Sequence, residues 1–460
     1  MTLTKDTDLL VIGGSDAGIS AALRARELNP NIQITLILAD HYPNLSICGI
    51  PYAVSKEVPD WHHLAHRTLA DLEAYQLNFE MNTEVKTIKP NQHLVTALDE
   101  KGHQKAFHYQ QLLVATGARP RTIPIVGHAS GVHVLHTMAD YFRLEDQLQD
   151  QSSKSVAIIG AGYVGLEMAE AVKRLGHSVT VFQRGPEVLS TVEPALGQMV
   201  RDELNKHDIN VRLNTSVDQI IQTDQGYQLT HLTQPVSTTH FDLVLVVIGV
   251  KPNSELLAAA GAQIDEKTQA VVVDDYMKTN LPQVYAAGDL TLTKHRLVGP
   301  RYLPLGTTAH KQGRVAGANL VGHHLPFAGI IGSQVLRVFD LVIARTGLLP
   351  QEALAAGYQP LSVTSVLDDH KGYIPGAHKL TITVTADQQT HQLLGAQLIG
   401  AYGSEVAKRT DIFATAIYNR MTVEEFSNLD LTYSPVVGAP WDAVQAATQK
   451  LERLFDTKIN

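Results

Sequence analysis

The segment Ser155-Val156-Ala157-Ile158-Ile159-Gly160-Ala161-Gly162-Tyr163-Val164-Gly165 runs from an apolar strand pattern directly into Gly-x-Gly-x-x-Gly. Leu166 to Leu175 continues with helical spacing, and Val179 to Phe182 reads as the next strand. Strand, glycine turn, helix and strand in that order form a dinucleotide-binding unit. The first glycine makes the tight turn, the second lets the backbone approach a pyrophosphate, and the third lets the helix pack closely. The amide end of the helix then holds the anion. Gly160, Gly162, Tyr163, Val164 and Gly165 are therefore candidate cofactor contacts. After the second strand stand Gln183 and Arg184, where an acidic side chain would grip a ribose 2′-hydroxyl. A neutral amide and a cation suit a 2′-phosphate better, which favours NADPH over NADH.

Toward the N-terminus the pattern recurs. Leu9 to Ile12 leads into Gly13-Gly14-Ser15-Asp16-Ala17-Gly18 and then a helical run from Ile19 to Leu28. Ser15 replaces the middle glycine with another small residue. Ile34 to Leu38 reads as the second strand, and Asp40 beyond it is a candidate acceptor for ribose hydroxyls. Two such units mean two nucleotides, or a duplication with one live site. Leu112 to Ala115 is a strand that exits through Thr116-Gly117-Ala118-Arg119-Pro120. Leu243 to Val247 exits in a similar way through Ile248-Gly249-Val250-Lys251-Pro252-Asn253, so the chain leaves and re-enters the first unit at matching corners. Thr279 to Asp289 reads as a strand ending in Gly288-Asp289, whose carboxylate suits the hydroxyls of a polyol chain. Leu305-Gly306-Thr307-Thr308-Ala309 then opens a helix whose amide end points at the same place. These markers favour two nucleotides.

Between the two units lies Ser46-Ile47-Cys48-Gly49-Ile50-Pro51-Tyr52, which holds the chain's only cysteine. A lone thiol closes no intrachain disulfide, so redox work must use one sulfur, as a sulfenic acid or a mixed disulfide with a small thiol. Gly49 permits a close backbone approach, and Pro51 is tolerated in the first turn of a helix. A cysteine at such a helix start is expected to favour the thiolate. The alternative is a small buried hydrophobe. His62, His63 and His66 follow at near-helical spacing; with no carboxylate or thiol beside them they read as solvated, and no metal is expected.

The chain has 460 residues, 44% of them hydrophobic and 18% charged, with a formal charge of −9. Its lysines and arginines form no dense run, which argues against nucleic acid and membrane surfaces as partners. Apolar runs such as Leu243 to Val250 are short, and a strand pattern follows Met1 to Asp8 with no signal-peptide pattern before it. With one cysteine, a reducing cytoplasmic setting is expected. From Phe327 onward the texture changes to alternating strands at Val335 to Phe339, Val342 to Thr346, Leu380 to Thr385 and Leu394 to Leu398. Helices follow at Glu405 to Met421 and Ala443 to Leu454, a pattern that suits an α+β dimerisation module.

Taken together, these motifs resemble the pyridine nucleotide–disulfide oxidoreductases, in particular the single-cysteine branch with coenzyme A disulfide reductases, NADH oxidases and NADH peroxidases. The resemblance implies an α/β fold with two Rossmann-like dinucleotide-binding domains and a C-terminal α+β dimerisation domain. FAD would occupy residues 1–120 with 253–326, NAD(P)H residues 121–252, and residues 327–460 would pair two subunits as a homodimer. Cofactor contacts are then expected at Gly13, Ser15, Asp16, Ala17, Gly18, Thr116, Gly117, Arg119, Gly249, Gly288, Gly306, Thr307 and Ala309. The resemblance also implies that Asp40 stands near the FAD adenosine, Asp289 near its ribityl–phosphate region, and Cys48 beside the flavin. Hydride would pass from NAD(P)H to flavin and two electrons on to Cys48. Peroxidases of this branch carry a histidine where this chain has Asp16, so peroxide is not the expected substrate. Cys48-Gly49-Ile50-Pro51-Tyr52 looks more like the Cys-Gly-Leu-Pro-Tyr of the disulfide reductases. Those enzymes bring partner-subunit tyrosines to the cysteine, and Tyr433 and Tyr373 match them, Tyr433 as donor to the departing thiolate. The expected substrate is a low-molecular-weight disulfide or persulfide, coenzyme A disulfide first; the alternative is an NAD(P)H oxidase reducing oxygen through a sulfenic acid.

Overall fold

The structure is a computed structural model that describes residues 3–149, 152–231 and 237–456. Its first sheet has seven strands and is built around Leu3–Ile12, where Leu9, Leu10 and Val11 are fully buried. Burial on both faces is what a parallel strand covered from two sides requires. Ile34–Ile37 and Gln104–Val114 flank it in parallel, with Leu77–Glu80 beyond Ile34–Ile37. Leu94–Asp99 and Thr83–Lys89 extend the sheet as antiparallel strands. The central strand starts earlier than its apolar run, because Thr4 to Thr7 still pair with Ala106 to Tyr109.

The strand expected over residues 279–289 is a short one, Val284–Ala286, paired with Leu112 to Val114. Pro282 supplies no amide and Gln283 takes φ +55°, so the preceding residues fold back and the Thr279 amide donates to the Val284 carbonyl. The helix Gly306–Leu320 then packs on the helix Asp16–Leu28 at very short range. A Cβ on Gly313 would lie 2.2 Å from the Ala17 carbonyl oxygen, and one on Gly317 would lie 2.3 Å from that of Ala21.

A second sheet of five parallel strands runs in the order Asn210–Arg212, Ser178–Phe182, Ser155–Ile159, Leu243–Val246, Val132–His133. Its two chain crossings to the first sheet pair with each other: Ala118–Pro120 lies antiparallel to Val250–Pro252. Arg119 clamps the crossing, donating from Nη1 to Asn253 Oδ1 at 2.7 Å and to Glu255 Oε2 at 3.0 Å.

The C-terminal sheet is antiparallel, in the order Gln334–Val338, Leu341–Gly347, Leu393–Ala401, Lys379–Asp387, Pro360–Asp368. The last of these is an edge strand that the sequence reading passed over. It meets its neighbour through hydroxyl pairs, Ser362 with Thr385 at 2.8 Å and Thr364 with Thr383 at 2.9 Å. Helices Val406–Tyr418 and Ala443–Asp456 pack against this sheet. All three parts of the chain meet at one buried carboxylate. Glu170 accepts from the Phe339 amide at 2.7 Å, while Arg337 reaches both Glu170 and Glu57. Among the described residues, no helix is long and apolar enough to cross a membrane.

Candidate active site

Each glycine turn makes an amide-lined cradle at the end of a parallel strand. Gly13 takes φ +112°, and a Cβ there would lie 2.2 Å from the Ala115 carbonyl oxygen. Gly160 takes φ +110°, with the Val247 carbonyl oxygen 2.5 Å from the same imaginary atom. At the end of each turn the fit is tighter: a Cβ on Gly18 or Gly165 would sit 2.0 or 1.9 Å from the carbonyl oxygen of Gly13 or Gly160. Only glycine fits these four positions. The helices that follow begin at Asp16 and Tyr163, and neither N-cap, Ser15 or Gly162, makes a side-chain capping bond. Leu305, before the Gly306–Leu320 helix, makes none either. Three helix starts thus leave first-turn amides, including those of Gly306 and Thr307, without a capping side chain, as an anion-binding crevice needs.

Ala17 and Ala309 serve packing: Ala17 lies against Gly288 and Gly313, and the Ala309 amide bonds to the Leu305 carbonyl inside the helix. Gly288 donates its amide to Gln312 Oε1 at 2.8 Å, which holds the Gly288-Asp289 turn in place. Gln312 is fully buried and was missed as a site residue, since nothing in its helical context marks it. Asp289 accepts from the Leu305 amide, and its carboxyl is pushed up to about 6 by burial and then by the charge of Asp16. The Tyr302 hydroxyl donates to the Asp289 carbonyl at 2.9 Å.

Cys48 lies in a single 3₁₀ turn, Ile47–Gly49, followed by the five-residue helix Ile50–Val54. A Cβ on Gly49 would lie 2.5 Å from Leu64 Cδ2, so a larger residue there would push the tip of that side chain aside. The expectation that the helix start lowers the thiol is corrected. The helix is too short to carry a useful dipole, and burial followed by the charges of Glu167, Asp16 and Asp289 pushes the thiol up. Of these only Glu167 sits close enough to neutrality to lose much of its charge there. Glu167 is held at about 7, chiefly by burial, and accepts from the Tyr52 hydroxyl at 3.2 Å. Glu167 and Tyr52 were missed as a pair; one follows the second glycine turn, the other follows Cys48, and only the fold joins them. Arg337 lies 5.3 Å over the Tyr52 ring.

Other expected residues take distinct places. Asp40 lies exposed beyond the Ile34–Ile37 strand, its Oδ1 accepting from the Tyr42 amide at 3.0 Å. Thr116 and Gly117 hold the crossing strand through Asn253, and Gly249 bonds to the Arg121 amide; with Arg119 they brace the hinge beside the crevices. Gln183 turns its amide back onto the Glu187 carbonyl at 3.0 Å, while Arg184 of that pair is exposed. Val164 is exposed at the second turn, and Tyr163 is reached by Thr191 Oγ1 at 3.4 Å. Tyr373 and Tyr433 lie beside each other on the C-terminal surface, 71% and 44% exposed.

His62 is turned away to Asp60, but His66 is not alone. Asp16, His66 and His310 each bring one ligand atom to within 4.8 Å of the others. The carboxylate that the local sequence lacked arrives from the first glycine turn and the second imidazole from the Gly306–Leu320 helix.

Residues 7–313 match the pyridine nucleotide-disulphide oxidoreductase family and residues 334–443 its dimerisation domain. The chain is 30% identical to an NAD(P)H sulfur oxidoreductase (CoA-dependent) of Pyrococcus abyssi, over 96% of this chain and 98% of that one. It is 29% identical to an NADH oxidase of Methanocaldococcus jannaschii, over 98% and 99% respectively. The solved structure of an NAD-dependent persulfide reductase from A. fulgidus superposes with a TM-score of 0.93 at 32% identity, covering 98% of this chain and 84% of that one.

Proposed function

The chain belongs to the pyridine nucleotide-disulphide oxidoreductases, and on that footing we propose that it is an FAD-dependent NAD(P)H oxidoreductase that reduces a low-molecular-weight disulfide or persulfide through Cys48, coenzyme A disulfide first. The observation that carries this reading is the position of the single exposed thiol, near enough to Asp16 and Asp289 of the first crevice and to Glu167 of the second to feel their charges. The two glycine cradles support one nucleotide each: FAD in residues 1–120 with 253–326, and NAD(P)H in residues 121–252. Gly13, Ser15, Gly18, Gly306 and Thr307 line the first, with Asp289 for the ribityl hydroxyls and Asp40 on the adenosine side. Gly160, Gly162, Tyr163, Val164 and Gly165 line the second, with Arg184 for a 2′-phosphate.

Bound flavin supplies a two-electron relay between nicotinamide hydride and sulfur. The residues of the chain then do the rest. Cys48, as thiolate, attacks one sulfur of the substrate; a mixed disulfide forms and the other sulfur leaves as a thiolate that must be protonated. Tyr433 donates that proton from a second copy of the chain, with Tyr373 beside it. Glu167 and Tyr52 hold a further proton on the nicotinamide side. The net balance is one disulfide, one NAD(P)H and one proton giving two thiols and NAD(P)+. Exposed Tyr373, Val436, Val437 and Trp441 near Tyr433 support a homodimer through residues 327–460, and a lone free thiol fits the cytoplasm. The oxidase reading is supported by the relative of that name.

An anaerobic acceptor panel with both nicotinamides separates the two. Rapid NAD(P)H oxidation with coenzyme A disulfide is expected from the wild type, and Cys48→Ser is expected to keep its flavin absorbance while losing about three orders of magnitude in that rate. Fast oxygen uptake with no disulfide turnover would instead establish the oxidase.

A further inference from the structure

We propose that Asp16, His66 and His310 form a binding site for a divalent transition-metal ion of the zinc class at the mouth of the Cys48 crevice. The three come from separate elements: the start of the helix Asp16–Leu28, the loop after Leu64, and the second turn of the helix Gly306–Leu320. Asp16 Oδ1 and His310 Nε2 are 3.3 Å apart, and all three ligand atoms lie within 4.8 Å of one another. Tetrahedral zinc with bonds of about 2.0–2.1 Å places its ligand atoms roughly 3.3 Å apart. One edge of the tetrahedron therefore exists already, and the exposed His66 side chain closes the others by rotating inward.

A second observation points the same way. His310 Nδ1 lies 2.7 Å from Ser20 Oγ, one helical turn beyond Asp16. With an ion bound, Nδ1–H would donate to that hydroxyl and Nε2 would turn its lone pair to the metal, the outer hydrogen bond by which metal-bound imidazoles are oriented; without one, Nε2–H donates to the Asp16 carboxylate. His66 is fixed from its backbone: its amide donates to the Asn44 carbonyl at 3.0 Å, and the Ser46 amide donates to the Leu64 carbonyl at 2.8 Å. The loop that presents Cys48 thus also presents His66. Two imidazoles and one carboxylate select zinc or cobalt over magnesium or calcium, which take oxygen ligands. Three protein ligands leave the fourth position for water or an incoming thiolate.

The test uses FAD-loaded protein stripped with chelator and titrated with zinc chloride against a competing indicator. One tight Zn²⁺ per chain is expected. His66→Gln and His310→Gln should each weaken it at least tenfold, while Cys48→Ser should stay within twofold. Wild-type affinity in both histidine variants, or lost binding in Cys48→Ser, would overturn the site. Both histidines are exposed, so flavin absorbance is expected to confirm that the variants fold. As a separate measurement, Zn²⁺ should raise the melting temperature of the wild type but not of His310→Gln; equal shifts in the two would also overturn it. Disulfide turnover is assayed in chelator, so neither result bears on the redox reading.

Discussion

At Gly13 and at Gly160 the backbone makes nearly the same turn, φ +112° and +110°, and each turn is closed by a glycine packed against the first one's carbonyl oxygen. Around these matched turns the side chains differ in kind. The first turn carries Asp16, with His310, His66 and Asp289 about it, a polar cluster of two half-buried carboxyls and two exposed imidazoles. The second carries Glu167 paired with Tyr52 and walled by Arg337, a half-buried acid. The lesson is that main-chain geometry repeats because an anion cradle has few solutions, while the chemistry of each crevice is supplied by residues remote in sequence.

The strongest way to break this comparison is to fill the closing glycines. In Gly165→Ala and Gly18→Ala the new methyl group meets a fixed carbonyl oxygen at 1.9 or 2.0 Å. Each should cost more than about 3 kcal/mol, read by thermal unfolding. Gly165→Ala should keep flavin absorbance and lose NAD(P)H titration, and Gly18→Ala should lose the flavin; loss of flavin from both would mean the crevices are not separate. Next in size is the acid of the second crevice. Glu167 is held at about 7 against an ordinary 4.5, so between those values the folded chain binds the extra proton and stability falls as pH rises through that window. Glu167→Gln should therefore add on the order of 1–3 kcal/mol at pH 8 and little at pH 4 in denaturant titrations. An equal effect at both pH values would remove Glu167 from the comparison. Arg184→Ala should raise KM for NADPH about tenfold and leave NADH nearly unchanged, and equal losses would refute a 2′-phosphate role. Smallest of all is Gly162→Ser, which copies Ser15 into the second turn. With φ −85° and nothing within 4 Å of its Cβ, it should fall within about 0.5 kcal/mol of wild type by melting.

Much of this molecule is legible in local sequence. Both glycine turns, the paired crossings at Ala118–Pro120 and Val250–Pro252, and Asp289 at a strand end all carry short-range signals that backbone geometry enforces. The seams are not legible. Asp16 and His310 come together because two helices pack through bare glycines, Glu167 and Tyr52 because two others pack across the domains, and no periodicity marks which distant side chain will arrive. The thiol's charge state was misread for the same reason. A helix start is visible in Gly49-Ile50-Pro51, but the three carboxylates that oppose it come from elsewhere. The edge strand Pro360–Asp368 escaped because its half-buried face is largely hydroxyl-bearing.

Finally, the pairing of Val284–Ala286 with Gln104–Val114 sets an order of events as the chain emerges from the ribosome. Residues 155–246 bring together every strand of their parallel sheet except Val132–His133, which is made just before them. The earlier-made sheet must wait, with the flank of Gln104–Val114 bare at Leu112 to Val114, until residues 284–320 are translated. The guest is assembled before its host, and nascent chains halted near residue 260 should expose that waiting flank to chaperones.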